Sequence, residues 1–193
     1  MNIASHKKIG IELKPTIQSS TILLVDDERS NIKLLESILR QNGYNNIIST
    51  LDPYAVSKIV KQKRIDLILL DLNMPNMNGF EVMRQLHTDD NINKPPIMLL
   101  TAQHDQEYRC KALNEGAKDY ITKPFDAVEL LLRVKNILET HALQILLHEK
   151  NKELEIRVNE RTKELLKQHA KLRKSRLHIV QCLGRAAEYR DNE

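Results

Sequence analysis

The residues of this chain that could do chemistry sit at the ends of greasy runs. Asp26, Asp27 and Glu28 follow the aliphatic run TILLV at 21–25. Asp71 closes IDLILL at 65–70, and Asn73, Pro75 and Gly79 come soon after. Thr101 ends IMLLT at 97–101, and Lys123-Pro124 follow KDYIT at 118–122. A carboxylate at the tip of a buried run is costly unless something there uses its charge. If these tips meet, three carboxylates, a hydroxyl and an ammonium share one rim. Three like charges then need a counterion. Mg²⁺ takes oxygen ligands and keeps several waters, so it fits a set such as Asp26, Asp27 and Asp71, with the Asn73 backbone carbonyl brought back by a loop shaped by Pro75 and Gly79. Asp71 is the natural nucleophile, because carboxylates form aspartyl-phosphate intermediates. Lys123 would neutralise a phosphate oxygen and the Thr101 hydroxyl would hydrogen-bond it. Taken singly, each residue is an ordinary polar strand end; the set, each member at the right end, is what argues for a site.

The elements must bring those tips together. Between residues 21 and 125, short apolar runs alternate with amphipathic segments. Ile32, Leu35 and Leu39 have helical spacing, and Gly43 is a stop. NIIST at 46–50 is a weak strand. Asp52-Pro53 opens the next helix as cap and first-turn proline, with Ala55, Val56, Ile59 and Val60 on its face. Residues 79–87 and 105–115 supply two more helices, and a fifth begins near Asp126. Five βα repeats imply a parallel sheet covered by helices on both faces. Strands buried on both faces read as continuous apolar runs, as these do. Ligands of such sheets bind at the strands' C-terminal ends.

From Asp126 the pattern changes. No proline follows Pro124, and no glycine lies between Gly116 and Gly184. Residues 126–182 read as helix nearly throughout. Val158, Leu165, Leu172 and Ile179 are seven apart, with Leu154 four before Val158. Such a repeat implies a partner helix and a left-handed supercoil. The alternate seam positions, Asn151, Arg161, Gln168 and Ser175, are poor. The expectation is a parallel homodimer through this helix.

Composition narrows the rest. The 193 residues suit one domain plus an extension, or two small domains, and 41% hydrophobic content with 4% aromatics gives an aliphatic core. Residues 21–125 carry 13 basic and 14 acidic side chains, against 14 and 11 in 126–193. That balance argues against a nucleic-acid surface on the first domain. No apolar run has membrane-span length, and residues 1–20 have no signal-peptide core and read as a polar tail. Cys110 and Cys182 fit no metal or disulfide spacing, so a reducing cytoplasm is expected. His104-Asp105 spells a metal-hydrolase dyad but lacks further ligand histidines; Asp105 is more simply a helix cap. His141 and His148, seven apart, read as surface or seam histidines. The cluster Lys167, Lys171, Arg173, Lys174 and Arg176 reads as a solvated helix face.

ILLVDDE (22–28), LILLDLNMPNMNGFE (67–81), MLLTA (98–102) and GAKDYITKPF (116–125) together resemble the receiver domain of two-component response regulators, over about residues 21–137. The resemblance implies an α/β, flavodoxin-like (βα)5 fold with strand order 2-1-3-4-5. It implies Asp71 as phosphoacceptor for a sensor histidine kinase or phosphotransfer protein. Mg²⁺ would be bound directly by Asp27, Asp71 and the Asn73 carbonyl, and by Asp26 largely through water. Thr101 and Tyr120 would be switch residues, Lys123 would contact the phosphate, and Lys123–Pro124 would be cis. NKELEIRVNERTKEL (151–165) looks like a bacterial signalling linker. LGRAAEYRDNE (183–193) looks like the opening of HD-GYP domains, the cyclic di-GMP phosphodiesterases, whose catalytic motifs the chain lacks. The expected organisation is a tail at 1–20, a receiver at 21–137, a coiled-coil linker at 138–182 and the start of an HD-GYP domain at 183–193, from a fragment or a natural truncation. No enzymatic activity is expected of the chain as it stands. Two other readings stay open: a stand-alone phosphorylation-dependent interaction module, and a DNA-binding regulator.

Overall fold

A computed structural model describes residues 17–89, 94–102 and 106–190, with the side chains of 106–109, 174, 175 and 177–190 excepted. The chain divides into two units, Met1–Ala142 and Leu143–Glu193. In the first, five strands form one sheet: β1 (Ile22–Val25), β2 (Ile47–Thr50), β3 (Leu67–Asp71), β4 (Ile97–Thr101) and β5 (Asp119–Thr122). All neighbours pair in parallel, in the order β2-β1-β3-β4-β5. The helices are α1 (Arg29–Gln41), α2 (Val56–Gln62), α3 (Gly79–Thr88), α4 (Gln106–Asn114) and α5 (Ala127–Arg190).

Strand alternation sends successive side chains to opposite faces, and each face has its own core. Leu23, Val25, Ile68, Leu70 and Leu99 pack with Val56, Val60, Phe80, Val82, Met83, Leu86 and Ala112 from α2, α3 and α4. Ile22, Leu24, Leu67, Leu69, Met98 and Leu100 pack with Ile32, Leu35 and Leu39 of α1 and with Leu130, Val134, Ile137 and Leu138 of α5. Both faces are therefore dry, which is why β1, β3 and β4 are apolar without a break.

Local chemistry sets the ends of elements. Asp52 accepts from the Tyr54 backbone N–H at 2.9 Å, and Pro53 opens a 3-10 turn that runs into α2. Gly43 ends α1's exit with φ +89° and Gly116 follows α4 with φ +98°, a region that side chains other than glycine rarely adopt. Asp126 caps α5 through Val128 N–H at 2.6 Å. The expected cap at Asp52 is thus present, and the helix expected near Asp126 starts there; Asp105 and His104 lie outside the described residues, as do residues 1–16 of the tail.

The second unit is helical as far as Arg190. Lys150 and Arg157 pair with Glu153 at 2.8 and 3.0 Å. Leu154, Val158, Leu165 and Leu172 are between 53% and 63% exposed on the single chain. Among the described residues no helix is long and apolar enough to cross a membrane.

Candidate functional site

Parallel pairing aligns the C-terminal ends of β1, β3, β4 and β5. Asp26 follows β1 directly, Asp71 is the last residue of β3, and Thr101 is the last of β4. Thr101 is in register with Thr122, one residue before Lys123. The Lys123 N–H donates to the Thr101 carbonyl at 2.6 Å, and the Leu72 N–H to the Leu100 carbonyl at 2.8 Å. These bonds carry the ladder past the strand ends and hold the functional residues on it.

Asp26 is fully buried and Asp71 is 4% exposed. Lys123 Nζ stands between them, 2.8 Å from Asp26 Oδ2 and 2.6 Å from Asp71 Oδ1. The Asn73 N–H donates to Asp71 Oδ2 at 3.1 Å. Asp26, Asp27 and Asp71 each offer an oxygen within 4.8 Å of the others. Hard oxygen donors grouped this closely, with an ammonium already acting as their counterion, fit a divalent cation such as Mg²⁺. The Lys123–Pro124 peptide is cis.

The electrostatics follow from burial. Burial pushes the Asp71 carboxyl above its ordinary range; the Lys123 hydrogen bond and charge and the Asn73 N–H oppose the rise, and the Asp26 charge adds to it. Burial also pulls Lys123 down, but hydrogen bonds and charges from Asp26 and Asp71 outweigh it and hold the ammonium above the usual lysine value.

The loop after Asp71 is tightly built. Asn78 and Glu81 form a reciprocal capping box at the start of α3, with bonds of 3.0 and 2.8 Å. The Gly79 N–H donates to the Leu72 carbonyl at 3.0 Å. A Cβ on Gly79 would stand 2.7 Å from the Asp71 carbonyl oxygen. Glycine is therefore required here by close approach of two backbones. Asn73 is exposed, Thr101 is buried, and Tyr120, partly buried, packs against the core on the α3–α4 face.

Asn31 is a residue that the strand-end pattern misses. Its Nδ2 donates to both Asp26 oxygens, each at 3.0 Å. The available signal is its spacing: five residues after Asp26, in the first turn of α1. Asn31 and Lys123 also line a cleft of about 400 Å³ with Leu34, Leu35, Pro124 and Phe125.

With this geometry in hand, the similarity to known proteins is direct. The response regulator receiver domain family matches residues 22–135, more than half of the chain. The chain belongs to that family, as a two-component response regulator receiver. It is 34% identical over 119 residues to the transcriptional regulatory protein YvrH of Bacillus subtilis, covering 62% of this chain and 49% of that protein. It is 37% identical over 119 residues to the response regulator PleD of Caulobacter vibrioides, covering 62% and 26%. The chain thus spans half or less of these relatives' own length. Among solved structures, Vibrio cholerae CheY4 is 27% identical with a TM-score of 0.57, over 62% of this chain and 98% of that one. The receiver domain of the Pseudomonas aeruginosa sensor histidine kinase PA1611 is 30% identical with a TM-score of 0.56, over 63% and 98%. That structure holds a magnesium ion coordinated in its active-site cleft. The flavodoxin-like receiver fold expected from the sequence is the fold observed.

Proposed function

We propose that this chain is a phosphorylation switch in which Asp71 accepts a phosphoryl group from the phosphohistidine of a sensor kinase or phosphotransfer protein. The observation that carries the reading is Asp71 itself: a nearly buried carboxylate at a strand tip, 2.6 Å from Lys123 and grouped with Asp26 and Asp27. An Asp71 oxygen attacks phosphorus, the P–N bond to the donor imidazole breaks, and the imidazole leaves with the electron pair and takes a proton. Asp27, Asp71 and the Asn73 carbonyl would hold Mg²⁺ directly, with Asp26 acting largely through water. When bound, the metal supplies positive charge to the transferring phosphoryl oxygens. Lys123 gives up its bond to Asp71 and turns to a phosphoryl oxygen. Thr101 supplies a hydroxyl from the neighbouring strand end. Tyr120 lies on β5 and packs against the core of the α3–α4 face, where a change in its packing would be felt. The kinase approaches over the cleft beside Lys123, whose Leu34 presents an exposed apolar side chain.

The output is the finer part of the reading. The helix that packs Leu130 and Val134 on the sheet is the one that carries the heptad positions Val158, Leu165 and Leu172. Pairing of that helix with a second copy would bury them and pass receiver state to whatever follows. The ending LGRAAEYRDNE supports a cyclic di-GMP phosphodiesterase of the HD-GYP kind as that output, so the chain itself is no enzyme in this reading. DNA-binding relatives such as MtrA of Mycobacterium tuberculosis, 40% identical over 114 residues, keep a second reading open, in which the output is a DNA-binding regulator. A cytoplasmic location follows from a kinase partner of this type.

The test is phosphate uptake from a small phosphodonor with Mg²⁺. Wild type takes up one phosphoryl group and Asp71→Asn takes up none. Equal labelling of both would refute the assignment.

A further inference from the structure

We propose that Asn31 is a positioning residue for phosphoryl transfer: it keeps the Asp26 carboxylate in place while Lys123, shared between Asp26 and Asp71, is drawn toward the arriving phosphoryl group. The inference rests on the function proposed above and assigns a role within that site.

Asp26 is fully buried, so its charge leans on the protein donors around it. The Glu28 N–H reaches Oδ1 at 2.9 Å, Asn31 Nδ2 reaches Oδ1 and Oδ2 at 3.0 Å each, and Lys123 Nζ reaches Oδ2 at 2.8 Å. Two of these three donors belong to the start of α1 and are fixed by it. The third is shared with Asp71 at 2.6 Å. Lys123 is the donor that must serve another anion, because the transferred group brings three oxygens while Asp71 loses its own charge on forming the acyl phosphate. A buried carboxylate that loses a donor is left undersatisfied, which is costly. It is also freed to rotate about its terminal torsion, which is broad. Asn31 prevents both, since one amide nitrogen spans both oxygens.

Nothing else in the helix asks for asparagine here. Asparagine is a mediocre helix former. The N-cap residue Glu28 makes no side-chain cap bond, and the Asn31 amide spends its bonds on Asp26. Its half-buried side chain points its donor at Asp26.

The test compares wild type with Asn31→Leu, which keeps similar volume and removes the donor. Mg²⁺ affinity is read by calorimetry, phosphorylation by uptake from acetyl phosphate at saturating Mg²⁺, and folding by thermal unfolding. In Asn31→Leu, phosphorylation is expected to slow about tenfold and Mg²⁺ binding to weaken several-fold, the scale of one charge-assisted hydrogen bond, both deficits persisting well below a melting temperature that falls by a few degrees because the buried carboxylate also loses that donor in the resting fold. If Asn31→Leu does not fold, Asn31→Ala carries the same measurements. Wild-type Mg²⁺ affinity and rate in the variant, whether or not its melting temperature falls, would overturn this role alone. Wild type that neither binds Mg²⁺ nor takes up phosphate would overturn the function proposed above and this role with it.

Discussion

Gly79→Ala is the sharpest perturbation the fold offers. The added Cβ would sit 2.7 Å from the Asp71 carbonyl oxygen and 3.1 Å from Leu72 Cα. Real Cβ atoms essentially never approach closer than 3.0 Å, so backbone must move by some tenths of an ångström. Neither neighbour is the far end of a flexible side chain. Both belong to the tip of β3, which is held by the Leu72 N–H bond to the Leu100 carbonyl at 2.8 Å. The movement must therefore stretch the 3.0 Å bond from the Gly79 N–H to the Leu72 carbonyl or push α3 away from the sheet.

Overpacking of this kind costs about 1–3 kcal/mol, and a weakened hydrogen bond adds about 1 kcal/mol. Alanine's better helix propensity returns less than about 1 kcal/mol at a helix start. The expected net loss is about 2 kcal/mol, read as a lower urea midpoint with an unchanged slope. Because the displaced atom is the carbonyl of the proposed phosphoacceptor, phosphate uptake at Asp71 should fall as well. A Gly79→Ala protein as stable as wild type would show that the close approach does not constrain the β3 tip.

Three further outcomes follow from the same structure. Lys123→Met leaves Asp26 and Asp71 without their shared cation, and should cost about 3 kcal/mol without metal; Mg²⁺ should recover more stability in the variant than in wild type, measured by unfolding with and without the ion. His141, partly buried, is held below the ordinary histidine value, chiefly by burial, with Arg64 and Lys118 assisting and Asp66 opposing. The unfolded chain then takes the proton first, so stability should be constant above about pH 6.5 and fall as pH drops through the folded value, a slope that His141→Phe flattens. For the helical unit, a solution mass of two chains at micromolar concentration is expected, and Leu165→Asp with Leu172→Asp should return it to one; a wild-type monomer at high micromolar concentration would remove the dimer.

Much of this was legible because the determinants are local. Runs such as LILLD, recurring between amphipathic segments, suit strands buried on both faces of a covered parallel sheet, and parallel pairing sends Asp26, Asp71, Thr101 and Lys123 to one edge. Asp52-Pro53 and Gly43 mark their own turns. What the sequence hid depends on distances between elements. The single signal for Asn31 is its spacing from Asp26, and its bond to both carboxylate oxygens exists only because α1 packs beside the β1 tip. Gly79 is legible as a loop glycine, but its closeness to the Asp71 carbonyl comes from the tertiary fold. The seven-residue spacing along α5 is legible as a repeat, while whether a second copy pairs with it is not written in the fold of one chain.

Lys123 joins these observations. Without a metal, its one charge answers two buried carboxylates, and Asp27 beside them adds a third negative group. The trio is thus undercompensated by its own lysine, which is the condition under which a divalent cation gains most from entering. Yet the lysine bonds to Asp26 and Asp71 are short, so a cation entering the trio competes with an ammonium already in place. Such competition makes the site's affinity for a metal depend on where Lys123 can go. A phosphoryl group on Asp71 would give it somewhere to go, so on the proposed function metal binding and phosphorylation should favour one another in this site.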